Sequence, residues 1–259
     1  MQNASIIILN SHKPDAIVSQ RMATDQRTFA DAQRAILFAQ KDKTIDEKMT
    51  FYNTWAKCYE QDVALLDYQA PIFVKQSLAA LFTTGRDQAL VLDVACGTGL
   101  VAQQLQGLGF HHIHGVDGSE GMLEIAQSKG LYESLQKCML GMELLPASPD
   151  SYDVTMIVGA LSDGQVPPTI LPELHRVTKS GGYVCMTTRT NIANQLYKKQ
   201  LVAVIEDMEQ RRLWDIVKVQ QVEHWERAVS ASGVEQDSEY ISGIIYICRK
   251  SSNQQSKNN

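Results

Sequence analysis

Short apolar runs alternate with helical stripes along most of the chain, and this alternation predicts strands separated by helices. An apolar run that ends at glycine or a charged residue indicates a buried strand, whereas apolar residues three or four positions apart indicate a helix with one buried face. The predicted strands are residues 89–94, 113–116, 135–140, 154–158, 183–188, 214–225 and 240–248. The predicted helices are residues 28–43, a helix that begins at Thr44, and residues 71–81, 100–106, 119–129, 167–177 and 191–212.

The order of these elements predicts an α/β fold. Strands that alternate with helices form mostly parallel sheets joined by right-handed crossovers. Residues 179–182 contain two glycines and predict a turn before the fifth strand. Residues 1–25 contain no motif, and we expect a flexible arm there. The tail, residues 250–259, is polar, and we expect it to be disordered.

A glycine turn follows the first predicted strand and precedes the helix that begins at Leu100. Glycine tolerates positive φ and lets the backbone lie close to a ligand. The free N–H groups at the start of the next helix offer further donors. The second predicted strand is followed by Asp117, and an acidic residue in that place of a βαβ unit reaches the hydroxyls of a ribose. The spacing therefore indicates a nucleoside cofactor.

The residues of the turn favour S-adenosylmethionine over a dinucleotide. Dinucleotide-binding turns carry a third glycine, which this turn lacks, so a nicotinamide-dependent oxidoreductase is the weaker alternative. The carboxylate of Asp93 would repel a pyrophosphate, but it would attract an ammonium group. The methionine part of S-adenosylmethionine carries an ammonium group and a positively charged sulfur.

The sequences LDVACGTG at residues 92–99 and GVDGS at residues 115–119 resemble two motifs of the class I S-adenosylmethionine-dependent methyltransferases. The resemblance also includes residues 51–56, 59–64, 157–167 and 187–191, and it extends over roughly residues 28–205. It implies a Rossmann-like, seven-stranded, mostly parallel sheet with an antiparallel last strand. It also implies that helices in residues 26–84 cover the cofactor site of a core formed by residues 85–249.

The cofactor site that we expect combines these motifs with the ends of the later strands. Asp93 would face the ammonium group and Asp117 the ribose, while Tyr59 would bind the cofactor carboxylate or cover the methionine chain. The apolar stripe that includes Trp55 is also explained by simple packing of the helix on the main domain. The complete set of expected cofactor-binding residues is Tyr59, Asp93, Ala95, Gly97, Thr98, Gly99, Asp117, Gly118, Met122, Gly141, Met142, Val158 and Gly159.

The adenine end departs from the pattern of many family members. Those members have Gly-Asp after the third strand, and the aspartate accepts a hydrogen bond from the adenine amino group. This chain has Gly141 and Met142 instead. We expect the adenine to rely on the backbone of Met142 or on Glu143, and to contact the adaptable side chain of Met122.

The catalytic residue cannot be read from the sequence. Methyl transfer is an in-line displacement that depends mainly on positioning, and a general base helps only if the nucleophile must lose a proton. Asp163 is a candidate for accepting that proton, although Ser162-Asp163-Gly164 also suits a simple turn. Arg189 could bind a substrate carboxylate or anchor its own loop.

Composition narrows the acceptor to a small molecule or a protein. The net charge is −5 and no basic cluster is present, so nucleic acid is an unlikely partner. No apolar run approaches the roughly 20 residues of a membrane span, so we expect a soluble cytoplasmic or nuclear monomer. The five cysteines lack metal-site spacing. On a strand, His112 and His114 share one face and His111 lies on the other, so we expect no metal site. A catalytically silent S-adenosylmethionine-binding protein remains the alternative.

Overall fold

The chain folds around one seven-stranded sheet in a computed structural model, which describes residues 26–39, 43–229 and 239–252. The strand order is β3-β2-β1-β4-β5-β7-β6. Strands β1 to β5 pair in parallel, and β7 is antiparallel to both β5 and β6, so the predicted fold class is confirmed. The strands are β1 Leu90–Val94, β2 His112–Asp117, β3 Ser134–Lys137, β4 Tyr152–Leu161, β5 Thr178–Arg189, β6 Trp214–Arg227 and β7 Tyr240–Lys250.

Seven α-helices and two 3₁₀ turns connect or cover these strands in the described part of the chain. The helices are α1 Phe29–Ala39, α2 Ile45–Leu65, α3 Ala70–Leu81, α4 Leu100–Gln106, α5 Glu120–Ser128, α6 Leu171–Val177 and α7 Gln195–Gln210. The 3₁₀ turns are Pro168–Ile170 and Ile192–Asn194. The predicted arm, the end of the first predicted helix at residues 40–42 and the tail beyond residue 252 lie outside the described residues.

The two faces of the sheet form two separate cores because successive strand residues point to opposite sides. Leu92 of β1 packs with Leu174 of α6 and Leu201 of α7 on one face. Its neighbour Val91 packs with the helices α3 and α4 on the other face. Helices on both faces bury four of the five residues of β1, which explains why this strand reads as an almost continuous apolar run.

A third core joins α1 to α2 through buried aromatic and polar side chains. The carboxylate of Asp62 accepts a hydrogen bond from Arg27 Nε at 2.7 Å and another from Trp55 Nε1 at 2.7 Å. All three side chains are buried. At the start of α2, the predicted capping box of Thr44 and Glu47 is confirmed. The helix therefore begins where its own residues satisfy the free N–H groups.

Helix α2 is fastened to α5, which follows the second strand. The side-chain oxygen of Asn53 accepts hydrogen bonds from Ser119 Oγ at 2.7 Å and from Gly121 N at 3.0 Å. A Cβ atom at Gly121 would lie 2.5 Å from the backbone oxygen of Asn53. The absence of a side chain at Gly121 thus lets α2 approach closely enough to cover the carboxyl ends of the strands.

Several predicted element ends were wrong by a few residues. β5 begins at Thr178 rather than residue 183, but residues 179–182 bulge out and do not pair with β4. The predicted helix at residues 167–177 divides into a 3₁₀ turn and α6, since Pro172 has no N–H and suits only a first turn. None of the helices within the described residues is long and apolar enough to cross a membrane.

Replacing Asp62 with alanine should destabilise the protein strongly. The change removes the carboxylate that neutralises the buried Arg27, so we expect a loss of about 3–5 kcal/mol in the free energy of unfolding. Urea denaturation followed by circular dichroism measures this loss.

The matched control is Asp207→Ala, which breaks an ion pair with Arg211 whose side chains are 64% and 60% exposed. It should cost less than about 1 kcal/mol because exposed pairs are weak. Equal losses in the two variants would contradict the role that we give to Asp62.

Candidate functional site

A cavity of ≈ 250 Å³ opens at the carboxyl ends of β1, β2 and β4, beneath helix α2. Ligands of open α/β sheets bind at this edge, where the loops after the strands diverge. The wall is formed by Ile45, Lys48, Met49, Tyr52, Tyr59, Ala95, Gly97, Asp117, Gly118, Met122, Met139, Leu140, Gly141, Met142, Val158, Gly159, Ala160, Gln165, Val166 and Pro167. Ten of the thirteen expected cofactor-binding residues are therefore brought together, and Asp93, Thr98 and Gly99 are not in the wall.

Asp117 joins the turn after β1 to the turn after β2. Its two carboxylate oxygens accept hydrogen bonds from Gly97 N at 2.9 Å and from Ser119 N at 2.8 Å. Burial raises the pKa of Asp117, although these backbone donors oppose the shift. Each oxygen retains a lone pair, and the side chain lines the cavity, so the carboxylate can also accept hydrogen bonds from a ligand.

Asp93 lies behind the cavity wall and is 1% exposed. Its carboxylate accepts a hydrogen bond from Tyr132 Oη at 2.9 Å. Burial raises the pKa of Asp93 to about 7, and the nearby negative charge of Asp117 adds to the effect. A positive charge in the cavity would favour the ionised form of Asp93.

The end of β4 forms the wall opposite the Asp117 side. Gly159 has φ +77°, and its N–H donates to Thr187 Oγ1 at 2.9 Å. A Cβ atom at Gly159 would lie 2.2 Å from the hydroxyl oxygen of Tyr68. The phenol of Tyr68, which comes from the loop between α2 and α3, therefore rests directly on this strand end.

The side chains of α2 that cover the cavity extend beyond the expected Tyr59. Met49 and Tyr52 also line the wall, and the Tyr52 hydroxyl donates to Gln165 Oε1 at 2.8 Å. Burial raises the pKa of Tyr52 to about 12. The seven-residue spacing of Tyr52 and Tyr59 places both on one helix face, and this signal could have identified Tyr52 from the sequence. No comparable signal marks Gln165.

At the other end of the cavity the wall consists of flexible side chains. Met142 is 68% exposed at the rim, and Met139 and the buried, expected Met122 also line the cavity. The carboxylate of Glu143 accepts a hydrogen bond from Met139 N at 2.7 Å. Glu143 thus stabilises the loop after β3, and it is not part of the wall.

The two catalytic candidates lie outside the wall of the cavity. Asp163 is exposed, and its backbone N–H donates to Asn194 Oδ1 at 2.9 Å. Arg189 is half-buried and forms an ion pair with Glu226, with 2.6 Å between Nε and Oε1. No sequence pattern indicated Glu226, because β7 lies between β5 and β6 in the sheet.

Two of the three histidines near β2 have ordinary local partners. His112 Nδ1 lies 2.7 Å from Glu133 Oε1, and His114 Nδ1 lies 3.0 Å from the Tyr152 hydroxyl. Within residues 26–39, 43–229 and 239–252, no group of three or more His, Cys, Asp or Glu side chains could hold a metal ion.

Comparison with known proteins identifies the family of this chain. Residues 92–186 match the family model of a methyltransferase domain. The structure of an S-adenosylmethionine-dependent methyltransferase from Thermotoga maritima, a possible histamine N-methyltransferase, superimposes with a TM-score of 0.53 at 19% identity, over 77% of this chain and 98% of that one. The chain is 53% identical over 169 residues to methyltransferase-like protein 27 of Homo sapiens, covering 65% of this chain and 69% of that protein. The chain belongs to the class I S-adenosylmethionine-dependent methyltransferases.

More distant methyltransferases match over shorter segments. A ubiquinone biosynthesis O-methyltransferase of Thiobacillus denitrificans is 31% identical over 119 residues, which are 44% of this chain and 49% of that protein. The chain thus spans about half the length of this curated relative. The shared part includes the family's cofactor motifs, so the cofactor of this methyltransferase is S-adenosylmethionine.

The residues at the cavity fit S-adenosylmethionine. A Cβ atom at Gly97 would meet nothing within 4 Å, so the backbone turn forms an open cradle. The buried hydroxyl of Thr98, which belongs to the same turn, has no hydrogen-bond partner among the described residues. Asp117 supplies acceptor oxygens, and the buried Asp93 would gain a counter-charge. The donor set thus suits a cationic ligand that carries hydroxyl groups.

Asp93→Asn should change how stability depends on pH. Folding raises the pKa of Asp93 from its ordinary value near 4 to about 7. Between these values the folded protein holds one more proton than the unfolded chain, so each rise of one pH unit costs the wild type about 1.4 kcal/mol through this group. Above about pH 7 the cost is constant, because the group is ionised in both states.

The asparagine variant lacks this cost, and its side-chain oxygen can still accept from Tyr132. We therefore expect the free energy of unfolding, variant minus wild type, to increase as the pH rises from about 5 to about 7 and then to level off. Urea denaturation in the absence of ligand, at a series of pH values, measures this difference. Parallel pH profiles for the two proteins would contradict the raised pKa.

Proposed function

We propose that this methyltransferase holds S-adenosylmethionine in the ≈ 250 Å³ cavity and methylates a small molecule at the end of β4. The observation that carries the proposal is the position of Asp117 in one wall and Gly159 in the opposite wall of the same cavity. A ligand that spans the wall from β2 to β4 would reach both motifs that define the family.

Each wall of the cavity would hold a different part of the cofactor. Asp117 would accept hydrogen bonds from the ribose hydroxyls, and Gly97 would give the methionine part room to lie against the turn. Asp93 would provide a negative charge behind the ammonium group. Tyr59 would cover the methionine chain, and Met122 with the Met142 backbone would contact the adenine.

The chain's own contribution to the reaction would be positioning and the exclusion of water. When bound, S-adenosylmethionine supplies a methyl group already activated by positive sulfur. Helix α2 and the Tyr52–Gln165 hydrogen bond would keep the cavity closed above the reacting atoms. We assign no general base, since an acceptor with a free lone pair needs none.

A small-molecule acceptor is supported by the cover and by the names of two similar proteins. Helix α2 covers one side of the cavity, so a small molecule can reach the end of β4 more easily than a folded protein surface can. One relative is named as acting in ubiquinone biosynthesis, and one similar structure as a possible histamine N-methyltransferase. Both names describe small acceptors, although they differ in the atom that is methylated.

Asp117→Ala should weaken binding of S-adenosylmethionine and S-adenosylhomocysteine by about tenfold to a hundredfold, the usual effect of losing a hydrogen bond to a charged group. Isothermal titration calorimetry measures both affinities. Asp87→Ala is a matched control, because Asp87 is exposed in the turn before β1. Unchanged affinity in a folded Asp117→Ala variant would show that the ribose is bound elsewhere.

Turnover is tested by measuring S-adenosylhomocysteine release with a panel of phenols, amines, thiols and carboxylates, and with a peptide library. Release with one or more small compounds supports the proposal. Methylation of peptides alone would contradict a small-molecule acceptor. Tight cofactor binding without any release would overturn the proposed activity.

A further inference from the structure

An ion pair between β5 and β6 lies beside the cavity, next to the end of β4. Arg189 Nε lies 2.6 Å from Glu226 Oε1, and Arg189 Nη2 donates to Glu226 Oε2 at 3.4 Å. The two side chains are 15% and 7% exposed. Glu226 thus contacts the Nε edge of the guanidinium and balances its charge.

The opposite edge of this guanidinium is unused. A guanidinium has five N–H donors, and the Glu226 carboxylate takes two of them. The remaining three, on Nη1 and Nη2, have no hydrogen-bond partner in the part of the chain that the structure describes. Arg189 Nη1 is not among the fully buried, unpartnered side-chain atoms of the described residues, so its hydrogens reach open space, where a ligand can accept them.

Two phenols next to Arg189 have the same property. Among the described residues, neither the hydroxyl of Tyr59 nor that of Tyr68 has a hydrogen-bond partner. Burial raises the pKa of both, so both remain O–H donors near neutral pH. The ring centroid of Tyr68 lies 6.4 Å from that of Trp225, the residue before Glu226. The positive charge of Arg189 also opposes the pKa shift of each phenol.

In the cluster that these groups form, donors outnumber acceptors. Tyr59, Tyr68 and the outer edge of Arg189 together offer five hydrogens, while Glu226 is occupied by Arg189. An ammonium group would find only the two phenol oxygens as free acceptors, and it would lie beside the positively charged guanidinium. A carboxylate has four acceptor sites and suits a guanidinium edge especially well.

We propose that the methyl acceptor carries a carboxylate, which Arg189 and Tyr68 bind beside the end of β4. Glu226 is a positioning residue that holds the guanidinium by its other edge. Tyr59, which lines the cavity, borders this subsite. This proposal rests on the proposed function, because it assumes that the cavity holds S-adenosylmethionine and that the carboxylate belongs to the methyl acceptor.

The sheet order separates this cluster from the cofactor motifs. Asp117 and the glycine turn follow β2 and β1, whereas Arg189 follows β5, with β4 between them. Neighbouring strands lie about 4.8 Å apart, so the end of β5 is roughly 10 Å from the end of β1. Arg189 and Tyr68 are also absent from the cavity wall that contains the cofactor motifs.

The test uses the full chain saturated with S-adenosylhomocysteine, and it compares benzoate with benzamide by NMR titration. The two probes have nearly the same shape, but only benzoate is charged. We expect benzoate to bind at least about tenfold more tightly than benzamide. Tyr68→Phe should weaken benzoate binding about tenfold and leave the S-adenosylhomocysteine affinity and the melting temperature unchanged.

Two further variants keep the result interpretable. Arg189→Lys retains the charge beside Glu226 but lacks the planar edge, so it should also weaken benzoate binding. Arg176→Lys is the matched control, because Arg176 pairs with Glu173 away from the cavity, and it should leave benzoate binding unchanged.

Equal binding of the two probes, or no benzoate binding, would overturn the inference. A loss of S-adenosylhomocysteine affinity in Tyr68→Phe would assign the cluster to the cofactor carboxylate, which also overturns it. Failure of the wild type to bind S-adenosylhomocysteine would instead refute the proposed function.

Discussion

The geometry of the site depends on a short chain of hydrogen bonds that runs through the carboxylate of Asp117. One oxygen holds the backbone of Gly97 after β1, and the other holds Ser119 at the start of α5. The Ser119 hydroxyl then donates to Asn53 of α2. One acidic side chain therefore sets the position of the glycine turn, the second turn and the helical cover relative to one another. A change in any of these contacts alters three walls of the cavity at once.

The electrostatics of the site follow from burying acids near a place where a cation is expected. Asp93 and Asp117 are both removed from water, and the negative charge of Asp117 raises the pKa of Asp93. Such an arrangement is unfavourable for the protein alone, since burial disfavours the charged form. A ligand with positive charge reverses this effect. Without a ligand, the protein thus has an unfavourable electrostatic energy at Asp93 and Asp117, which a cationic cofactor would reduce. The Arg189–Glu226 pair beside the cavity is neutral overall.

Features that depend on local spacing could be predicted from the sequence, and features that depend on distant contacts could not. The strand, turn and helix around Gly97 and the acid at Asp117 follow from patterns within one βαβ unit. Tyr68 and Glu226 come from a loop and from an antiparallel strand, and no spacing in the chain connects them. The ends of elements were also hard to predict, as at residues 179–182, because a bulge keeps strand conformation without strand pairing.

The close contact between Asn53 and Gly121 determines where ligands can enter. With backbone atoms this near, α2 cannot slide along α5, and the Lys129–Glu60 ion pair adds a second attachment. A ligand would therefore enter at the opposite rim, where Met142 is exposed and Met139 also lines the cavity. Unbranched thioether side chains rearrange easily. We therefore expect the loop after β3, rather than the residues at the reacting atoms, to set the rate of cofactor exchange.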